Sequence, residues 1–433
     1  MSKRLSDIFI IHTKNIQRLF FVRKINLSRL YLIQVRKIAL YTSFLGLFIV
    51  YYASLTPWFL WSIHKYYVFF ALVPLLLGML MSRQLKQPIF NRKDYLYPLI
   101  ACVLLQLTMA LTSRKNINGV LMVVFSSMIY MSLFRMEIKE LKRLSNYLTT
   151  SMACILVISI PFYILHLLGV HLPHFHTAPA DLDYSFENYY FFLVDDRFAF
   201  EFIPRFHSIF LEPSHLGMAC ISLLYSQIGN WNKLSCKILF VGIFMTFSVA
   251  AYICLILLFF SSAWMKGKAI LGKILLILTL CVITIITSLI YNKGNNLVNQ
   301  LIVQRLTLNT EGKIEGDNRT TAIFTKEYNK LASSEEIIIG KGMEKFLRFG
   351  NNGNSGFRVY IYCYGLLSIL MLIIFFITLF RTSANRRAVV SMTLISIASF
   401  IAHGTPILYY FFIPLYILLF NETTPQKKLT KTQ

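Results

Sequence analysis

The chain is constrained most by a series of long, uninterrupted apolar runs, the first starting at Ile38 and the last ending at Phe420. Most of these runs are long enough to cross a hydrocarbon core of about 30 Å as helices. They are continuously apolar, whereas the strands of a membrane barrel alternate between apolar and polar residues. The whole chain is 56% hydrophobic and only 14% charged, while soluble domains have roughly 25% charged residues. The sequence therefore predicts an all-α polytopic integral membrane protein and excludes soluble, fibrous and disordered classes.

The apolar runs predict about twelve transmembrane segments. The run 238–263 reads as a pair of short helices that meet near Thr246-Phe247-Ser248. A re-entrant hairpin would equally well place the residues before and after this run on the same side of the membrane. The predicted spans are 38–56, 66–82, 95–112, 118–134, 147–170, 214–229, the pair within 238–263, 274–291, 358–379, 388–403 and 406–420. An even number of segments puts both termini on one side of the membrane.

The distribution of charge sets the predicted orientation. With twelve segments, one side of the membrane has 28 basic and 5 acidic residues, and the other has 15 basic and 14 acidic residues. Because basic residues concentrate in cytoplasmic loops, both termini are predicted to be cytoplasmic. The net charge of +24 is explained by topology, so the sequence predicts no nucleic-acid partner.

These spans divide the chain into a bundle and its connecting segments. A basic cytoplasmic segment, 1–37, precedes the transmembrane bundle, 38–420, and a cytoplasmic tail, 421–433, follows it. Two connections on the outer side are long, 171–213 and 292–357. Loops of this length are usually functional or disordered, and neither has the composition of a linker. We therefore expect two large, folded, functional extracytoplasmic loops.

The first outer loop ends in the most informative stretch of the chain, just where an apolar span begins. Pro213 suits the first turn of a helix, and Glu212 beside it complements the positive helix end. Charged residues at a membrane boundary are costly and are functional candidates by default, although a helix cap with an arginine paired to lipid phosphate explains the pattern equally well. The residues of this motif are Arg205, Phe206, Ile209, Phe210, Glu212, Pro213 and Gly217.

Two other features of this loop carry weaker signals. His171, His174 and His176 have no acidic residue or cysteine within four positions, so surface histidines are favoured over a metal site. The aromatic runs on either side of Asp195-Asp196, over 189–202, alternate as in a β-hairpin. We expect this hairpin at the membrane–water interface, where aromatic rings are favoured.

The second outer loop contains a predicted helix. Asp317 or Asn318 is a suitable N-cap, which would put Arg319 in the first turn, where backbone N–H groups attract anions. An apolar stripe follows, formed by Ile323, Phe324, Tyr328 and Leu331. The segment 335–342 then reads as a short strand that leads into a Gly-x-Gly turn, and Arg358 lies where the chain returns to the membrane.

The Arg205–Gly217 motif, preceded by an aromatic hairpin and opening a span, resembles the O-antigen and exopolysaccharide polymerase (Wzy) family, within the superfamily that also includes the O-antigen ligases. The resemblance extends to the short-helix pair and to a second outer loop with an arginine before a helix and a Gly-x-Gly. It implies an integral-membrane glycosyltransferase of GT-C-like type. Such an enzyme transfers a growing glycan from an undecaprenyl pyrophosphate carrier to the next lipid-linked repeat unit.

By position in the family's motifs, Arg205 and Arg319 are expected to bind the pyrophosphate, since the planar guanidinium suits two adjacent phosphates. For the acceptor hydroxyl, Glu212 is the first candidate, either as the base or as the group that orients Arg205, and His215 is the nearest imidazole. Three further residues, Arg305, Arg358 and His403, are candidates for substrate binding. The sequence indicates no set of metal ligands, and we expect a reaction without a metal ion or other cofactor.

The resemblance also implies location and partners. The protein would lie in the bacterial cytoplasmic (inner) membrane, bind undecaprenyl-pyrophosphate-linked oligosaccharides from the bilayer, and work beside flippase and chain-length regulator proteins. Two alternatives stay open. A ligase is disfavoured because the chain has no histidine between 216 and 402, where the ligases have one. A flippase or transporter should have charged residues deep in its spans, and these spans are almost free of them.

Overall fold

The computed structural model is mostly helical. It describes residues 33–63, 66–83, 90, 92, 95–113, 117–179, 184–196, 203–267, 270–296, 298–299, 303, 320–349, 354–404 and 407–420. The helices are α1 (Ile33–Ala53), α2 (Tyr67–Arg83), α3 (Leu96–Thr112), α4 (Ile117–Arg135), α5 (Ile138–Leu167), α6 (Pro213–Ser226), α7 (Leu234–Met245), α8 (Val249–Lys266), α9 (Ile270–Ile290), α10 (Ala322–Ala332), α11 (Met343–Leu347), α12 (Phe357–Thr382), α13 (Arg386–His403) and α14 (Ile413–Ile417).

Five helices in the described part of the chain are long and apolar enough to cross a membrane. They are Ile33–Ala53, Ile138–Leu167, Val249–Lys266, Ile274–Gly294 and Phe357–Thr382. Other predicted spans correspond to apolar helices of 10 to 17 residues. The structure thus supports an all-α membrane protein.

The predicted break in the run 238–263 is confirmed. Helix α7 ends at Met245, Phe247 adopts a left-handed backbone conformation with φ of 46°, and Ser248 caps α8 by accepting a hydrogen bond from the Ala251 N–H. The prediction that both helices are short is wrong for α8, because α7 has 12 residues but α8 has 18 and is long enough to cross a membrane. Helix α7 packs on α5 and α6, whereas α8 packs on α13 and α6.

The last apolar segment lies inside the bundle. From Tyr410 to Phe420 it combines short 3-10 turns with α14, and every residue of it is buried. Its hydroxyls are paired: Tyr410 bonds to Ser126 Oγ at 2.8 Å, and Tyr416 donates to the Ile407 carbonyl. Irregular backbone is tolerated at membrane depth when protein surrounds it, which explains why this segment is short and central.

The first outer loop contains a three-stranded antiparallel sheet: β1 (Phe175–Thr177), β2 (Phe186–Asn188) and β3 (Leu193–Asp195). The predicted strand at the start of 189–202 is wrong, because Tyr189–Phe192 form the turn between β2 and β3. Tyr190 has a φ of 66° there, and Asn188 Oδ1 accepts its N–H at 2.8 Å. A side chain that accepts a backbone N–H of the turn competes with the hydrogen bonds that would pair these residues as strands. Residues 197–202, the predicted partner strand, lie outside the described residues.

In the second outer loop, α10 begins later than predicted. Its N-cap is Thr321, whose hydroxyl accepts the Phe324 N–H, so the predicted cap at Asp317 or Asn318 is wrong; Arg319 lies outside the described residues. Phe324 and Leu331 are buried as predicted, but Ile323 is exposed.

The predicted strand at Glu335–Ile339 is wrong too, because Glu335–Ile338 form a 3-10 turn. This turn and Gly340 press against α12, where Gly365 interrupts the helix with a φ of 70°. A Cβ on Gly340 would lie only 2.7 Å from the Gly365 nitrogen. The Gly-x-Gly turn therefore serves close backbone packing of the second loop on α12.

The bundle has two distinct ends. One end, which we call the loop end, carries the sheet, the start of α6 and helix α10, and Trp58 there donates to the Tyr190 carbonyl at 3.0 Å. At the opposite end the fully buried Glu140 pairs with Arg36 at 3.3 Å and with Arg143 at 2.8 Å. That ion pair joins α1 to α5.

Candidate functional site

The site begins at Glu212, the N-cap of α6. Pro213 occupies the first helical position, as the sequence predicts. The Ser214 hydroxyl donates to Glu212 Oε2 at 2.9 Å, which fixes the carboxylate at the helix end. The Glu212 side chain still keeps 43% of its surface accessible. A carboxylate held in this way can meet a substrate group at the loop end.

Three imidazoles face this carboxylate. His215 Nε2 lies 3.8 Å from Glu212 Oε2, and His403 and His207 act on it electrostatically. The surrounding protein disfavours the charged form, but His215, His403, Ser214 and His207 together outweigh that effect and hold the pKa of Glu212 below its ordinary value. We call Glu212, His207, His215 and His403 the carboxylate–histidine cluster.

Gly217, the last residue of the motif, packs against the start of α8. A Cβ on Gly217 would lie 2.6 Å from the Ala251 Cβ and 3.7 Å from Thr246 Oγ1. This close approach seats the first turns of α6 on the α7–α8 break. The glycine in the motif is therefore explained by backbone packing beneath Glu212.

Arg205 lies beside the same break. The next residue, Phe206, donates its N–H to the Met245 carbonyl at 3.3 Å, and the Tyr163 hydroxyl donates to the Pro204 carbonyl. Phe206 and Phe210 are fully buried, so the aromatic positions of the motif are core residues, whereas Arg205 is half-buried. The α7–α8 break is thus a common neighbour of Arg205 and the first turns of α6.

His403 and Arg358 lie where α12 begins and α13 ends. Gly404 caps α13, and a Cβ on it would lie 2.9 Å from the Gly356 carbonyl carbon. Arg358, in the first turn of α12, has its guanidinium 5.9 Å from the centre of the Phe357 ring. The Tyr409 hydroxyl lies within electrostatic range of Glu212. The structure therefore brings the end of α13 to the carboxylate–histidine cluster and the start of α12 to the end of α13.

The second outer loop is tied to this region through Asn354. Asn354 Oδ1 accepts hydrogen bonds from the Thr321 N–H at 2.8 Å and from the Thr321 hydroxyl at 3.2 Å. Asn354 precedes Gly356 by two residues, so the start of α10 is bonded to the start of α12. Arg319 and Arg305 lie outside the described residues, and their expected roles stay predictions.

In the described part of the chain, no group of three or more His, Cys, Asp and Glu side chains is arranged to hold a metal ion. The first outer loop also contains one Asp-x-Asp sequence, Asp181-Leu182-Asp183, against the expectation that none stands out; these residues lie outside the described part of the chain. The expectation of metal-free chemistry therefore stays a prediction.

The sequence predicts Arg205, Glu212, His215, Arg358 and His403 as candidates, but not the interactions of Glu212 with His207, His403 and Ser214. It gave no role to Ser214, His207 or Tyr409, although His207 and Ser214 lie within the motif itself. Comparison of the chain with protein-family models, curated proteins and solved structures finds no match. The arrangement offers a held carboxylate, adjacent imidazoles and arginines at the loop end of an apolar bundle.

Proposed function

We propose that this protein is an integral-membrane glycosyltransferase. It would join undecaprenyl-pyrophosphate-linked oligosaccharide repeat units into a surface polysaccharide, an O-antigen, capsule or exopolysaccharide. The observation that carries this proposal is the geometry of the Arg205–Gly217 motif. Its carboxylate meets the end of α13 at the start of α6, its arginine lies beside the α7–α8 break on which α6 packs, and the first outer loop supplies both charged residues.

The contacts at the two ends of the bundle support the twelve-segment topology. Residues predicted to be cytoplasmic meet one another: Arg387 stacks over Trp264 at 5.8 Å, and Arg92 over Phe420 at 3.4 Å. Residues predicted to be outside also meet, such as Trp58 and Tyr190. In this topology both termini are cytoplasmic, and the site opens at the outer face of the bacterial cytoplasmic membrane.

The chemistry requires stabilisation of a pyrophosphate leaving group. Arg205 would bind it with the paired N–H groups of its guanidinium, and Arg319 would contribute from the second loop, with Arg305 and Arg358 as further phosphate contacts. The bond between Thr321 and Asn354 places the start of α10 beside the start of α12, where Gly356 packs on Gly404 next to His403. Because His403 acts on Glu212 of the first loop, these contacts support an approach of both loops to one substrate. Glu212 would lie on the acceptor side.

The test is polymerisation by purified protein in lipid nanodiscs, supplied with a defined lipid-linked repeat unit. We expect products of two or more repeats and release of undecaprenyl pyrophosphate. Arg205→Lys keeps the charge but loses the two-pronged hydrogen bonding, and should lower the rate at least tenfold. Arg83→Lys, an exposed arginine at the end of α2, is the matched control and should behave as wild type.

Each contrary result points to a different conclusion. Full activity of Arg205→Lys would contradict the pyrophosphate role of Arg205. Movement of the lipid-linked unit across the bilayer without new glycosidic bonds would indicate a flippase. Transfer of glycan only to an unrelated lipid acceptor would indicate a ligase. In cells, loss of the protein should leave surface glycans of a single repeat unit.

A further inference from the structure

Tyr409 is an exposed tyrosine in the otherwise buried last apolar segment. From 407 to 420 it is the one exposed residue, with 44% of its surface accessible. The hydroxyl of the next residue, Tyr410, is paired with Ser126 Oγ. The Tyr409 hydroxyl, in contrast, forms no hydrogen bond with a residue that the structure describes. This hydroxyl is therefore available to a bound molecule.

The accessible surface of Tyr409 lies among the first turns of three helices at the loop end. Its hydroxyl is within electrostatic range of Tyr67 at the start of α2, Tyr360 in the first turn of α12 and Glu212 at the cap of α6. The ring of Tyr410 is 6.3 Å from the Tyr67 ring. A tyrosine that only anchors a protein at the membrane interface faces lipid headgroups, whereas this side chain has residues of three helices around it. The position therefore favours a ligand that enters between these helices.

Direct contacts connect Tyr409 to Glu212. The centre of the Tyr409 ring lies 5.7 Å from that of Phe411, and the Phe411 ring lies 5.8 Å from the His215 imidazole. His215 Nε2 is in turn 3.8 Å from Glu212 Oε2, and the Glu212 side chain keeps 43% of its surface accessible. The loop end thus presents an accessible aromatic ring and an accessible carboxylate, separated by one phenylalanine and one imidazole.

These two groups together suit a sugar. A sugar ring has C–H groups on its faces and hydroxyls around its edge, so an aromatic ring can pack on a face while a carboxylate accepts hydrogen bonds from the edge. A phosphate is disfavoured beside Glu212, because like charges repel each other. The donor sugar is bonded directly to its pyrophosphate, whereas the reacting hydroxyl of the acceptor is on a sugar further from its own carrier. The charge of Glu212 therefore favours the acceptor sugar.

We propose that Tyr409 and Glu212 form the binding subsite of the acceptor sugar, an assignment that rests on the proposed function. The Tyr409 ring packs on one face of the sugar, and its hydroxyl bonds to a sugar hydroxyl. The Glu212 carboxylate, which the Ser214 hydroxyl holds in place at 2.9 Å, accepts a second sugar hydroxyl. Arg205 binds the pyrophosphate of the donor, so the two substrates contact different residues of the motif.

The experiment measures the KM of the acceptor separately from that of the donor. Full-length protein in nanodiscs receives the lipid-linked repeat unit as donor and a fluorescent glycoside of the repeat unit, without lipid or pyrophosphate, which can only accept. Tyr409→Phe keeps the ring and should raise the KM of the glycoside about three- to tenfold, the effect of one lost hydrogen bond. Tyr409→Leu also loses the ring and should raise it further. Glu212→Gln, a weaker hydrogen-bond acceptor, should raise the same KM.

In both Tyr409 variants, kcat and the KM of the donor should stay within about twofold of wild type, because only ground-state binding of the acceptor is lost. Tyr291→Phe and Tyr291→Leu, at an exposed tyrosine just after α9, are the matched controls and should keep wild-type values. Thermal unfolding in detergent tests the fold of each variant, and if Tyr409→Leu unfolds, Tyr409→Phe decides.

Two results would overturn the subsite. One is an unchanged KM of the glycoside in folded, active Tyr409→Phe and Tyr409→Leu. The other is a rise in the KM of the donor alone, which would move Tyr409 to the donor side. Absence of transfer by the wild-type protein would contradict the proposed function itself, so the two failures are distinguishable.

Discussion

The packing of Gly217 on α8 allows a quantitative prediction. A Cβ at Gly217 would lie 2.6 Å from the Ala251 Cβ, about 1 Å closer than ordinary van der Waals contact. The Ala251 Cβ cannot rotate away, so α6 and α8 must separate. Overpacking of this kind costs about 1–3 kcal/mol. Alanine itself gains about 0.5–1 kcal/mol over glycine in a helix.

The matched control is Gly272→Ala in α9, because a Cβ there meets nothing within 4 Å. We expect Gly272→Ala to be neutral or slightly stabilising and Gly217→Ala to be about 1–3 kcal/mol less stable than that control. Adding Ala251→Gly removes the clashing atom and leaves ordinary contacts, 3.7 Å to Thr246 Oγ1 and 3.9 Å to the Cα of residue 251. The gain of one helical alanine then offsets the loss of the other, and the double variant should return to near wild-type stability.

The assay is the free energy of unfolding in mixed detergent and SDS micelles, followed by circular dichroism. Polymerisation should follow the same order, because Gly217 lies just over one helical turn beyond Glu212. Two results would refute the packing argument: Gly217→Ala as stable as Gly272→Ala, or a double variant less stable than Gly217→Ala alone.

Three further predictions follow from other contacts. Gly365→Ala should destabilise the protein and expose the second outer loop to protease, because the added Cβ would meet the Ile338 carbonyl and alanine is strained at a φ of 70°. Gly169→Ala is the control: it has the same backbone strain, at a φ of 81°, but its Cβ meets no other atom. The difference between the two variants therefore measures the effect of the steric clash. The depressed pKa of Glu212 contributes stability above its unfolded pKa that is lost as pH falls through the lower folded value, so Glu212→Gln should lose less stability than wild type below about pH 4.5, measured by thermal unfolding across pH 3–6. EDTA should leave polymerisation unchanged, and so should Asp181→Asn with Asp183→Asn; loss of activity that magnesium restores would contradict metal-free chemistry.

The helices were predictable because one rule dominates them. A segment that is apolar over its length must satisfy its backbone internally, and the observed helices begin and end within a few residues of most of the predicted spans. The α7–α8 break was predictable from the charge pattern, because an odd number of spans would have put the basic linker 264–273 and the basic C-terminal residues on different sides from the basic N-terminal segment. The unequal lengths of α7 and α8 follow from packing on different partners, which no local pattern encodes.

The loops were less predictable because tertiary contacts decide them. Tyr189–Phe192 have strong strand preference, yet they form a turn, since Asn188 and Trp58 bond to Tyr190. The 3-10 turn at Glu335–Ile338 is likewise set by its contact with the kink at Gly365. The residues of the site were likewise predictable only where a local pattern marks them. The motif exposes Glu212 and His215 by their position, but their neighbours His403 and Tyr409 come from about 200 residues away.

Helix length explains how the carboxylate–histidine cluster can be lined by protein. Helix α6 has 14 residues and spans about 21 Å at 1.5 Å per residue, roughly 9 Å less than the hydrocarbon core. Helix α7 is shorter still, with 12 residues. Where such helices start or end inside a bundle, their polar ends are lined by protein and not by lipid. A carboxylate at the start of α6 can thus be surrounded and still accessible, and the α7–α8 break supplies the wall on which Gly217 rests. Short helices that would be poor membrane anchors are suited to hold charged groups where protein and not lipid surrounds them, and under the proposed function a lipid-linked substrate would present its phosphates there.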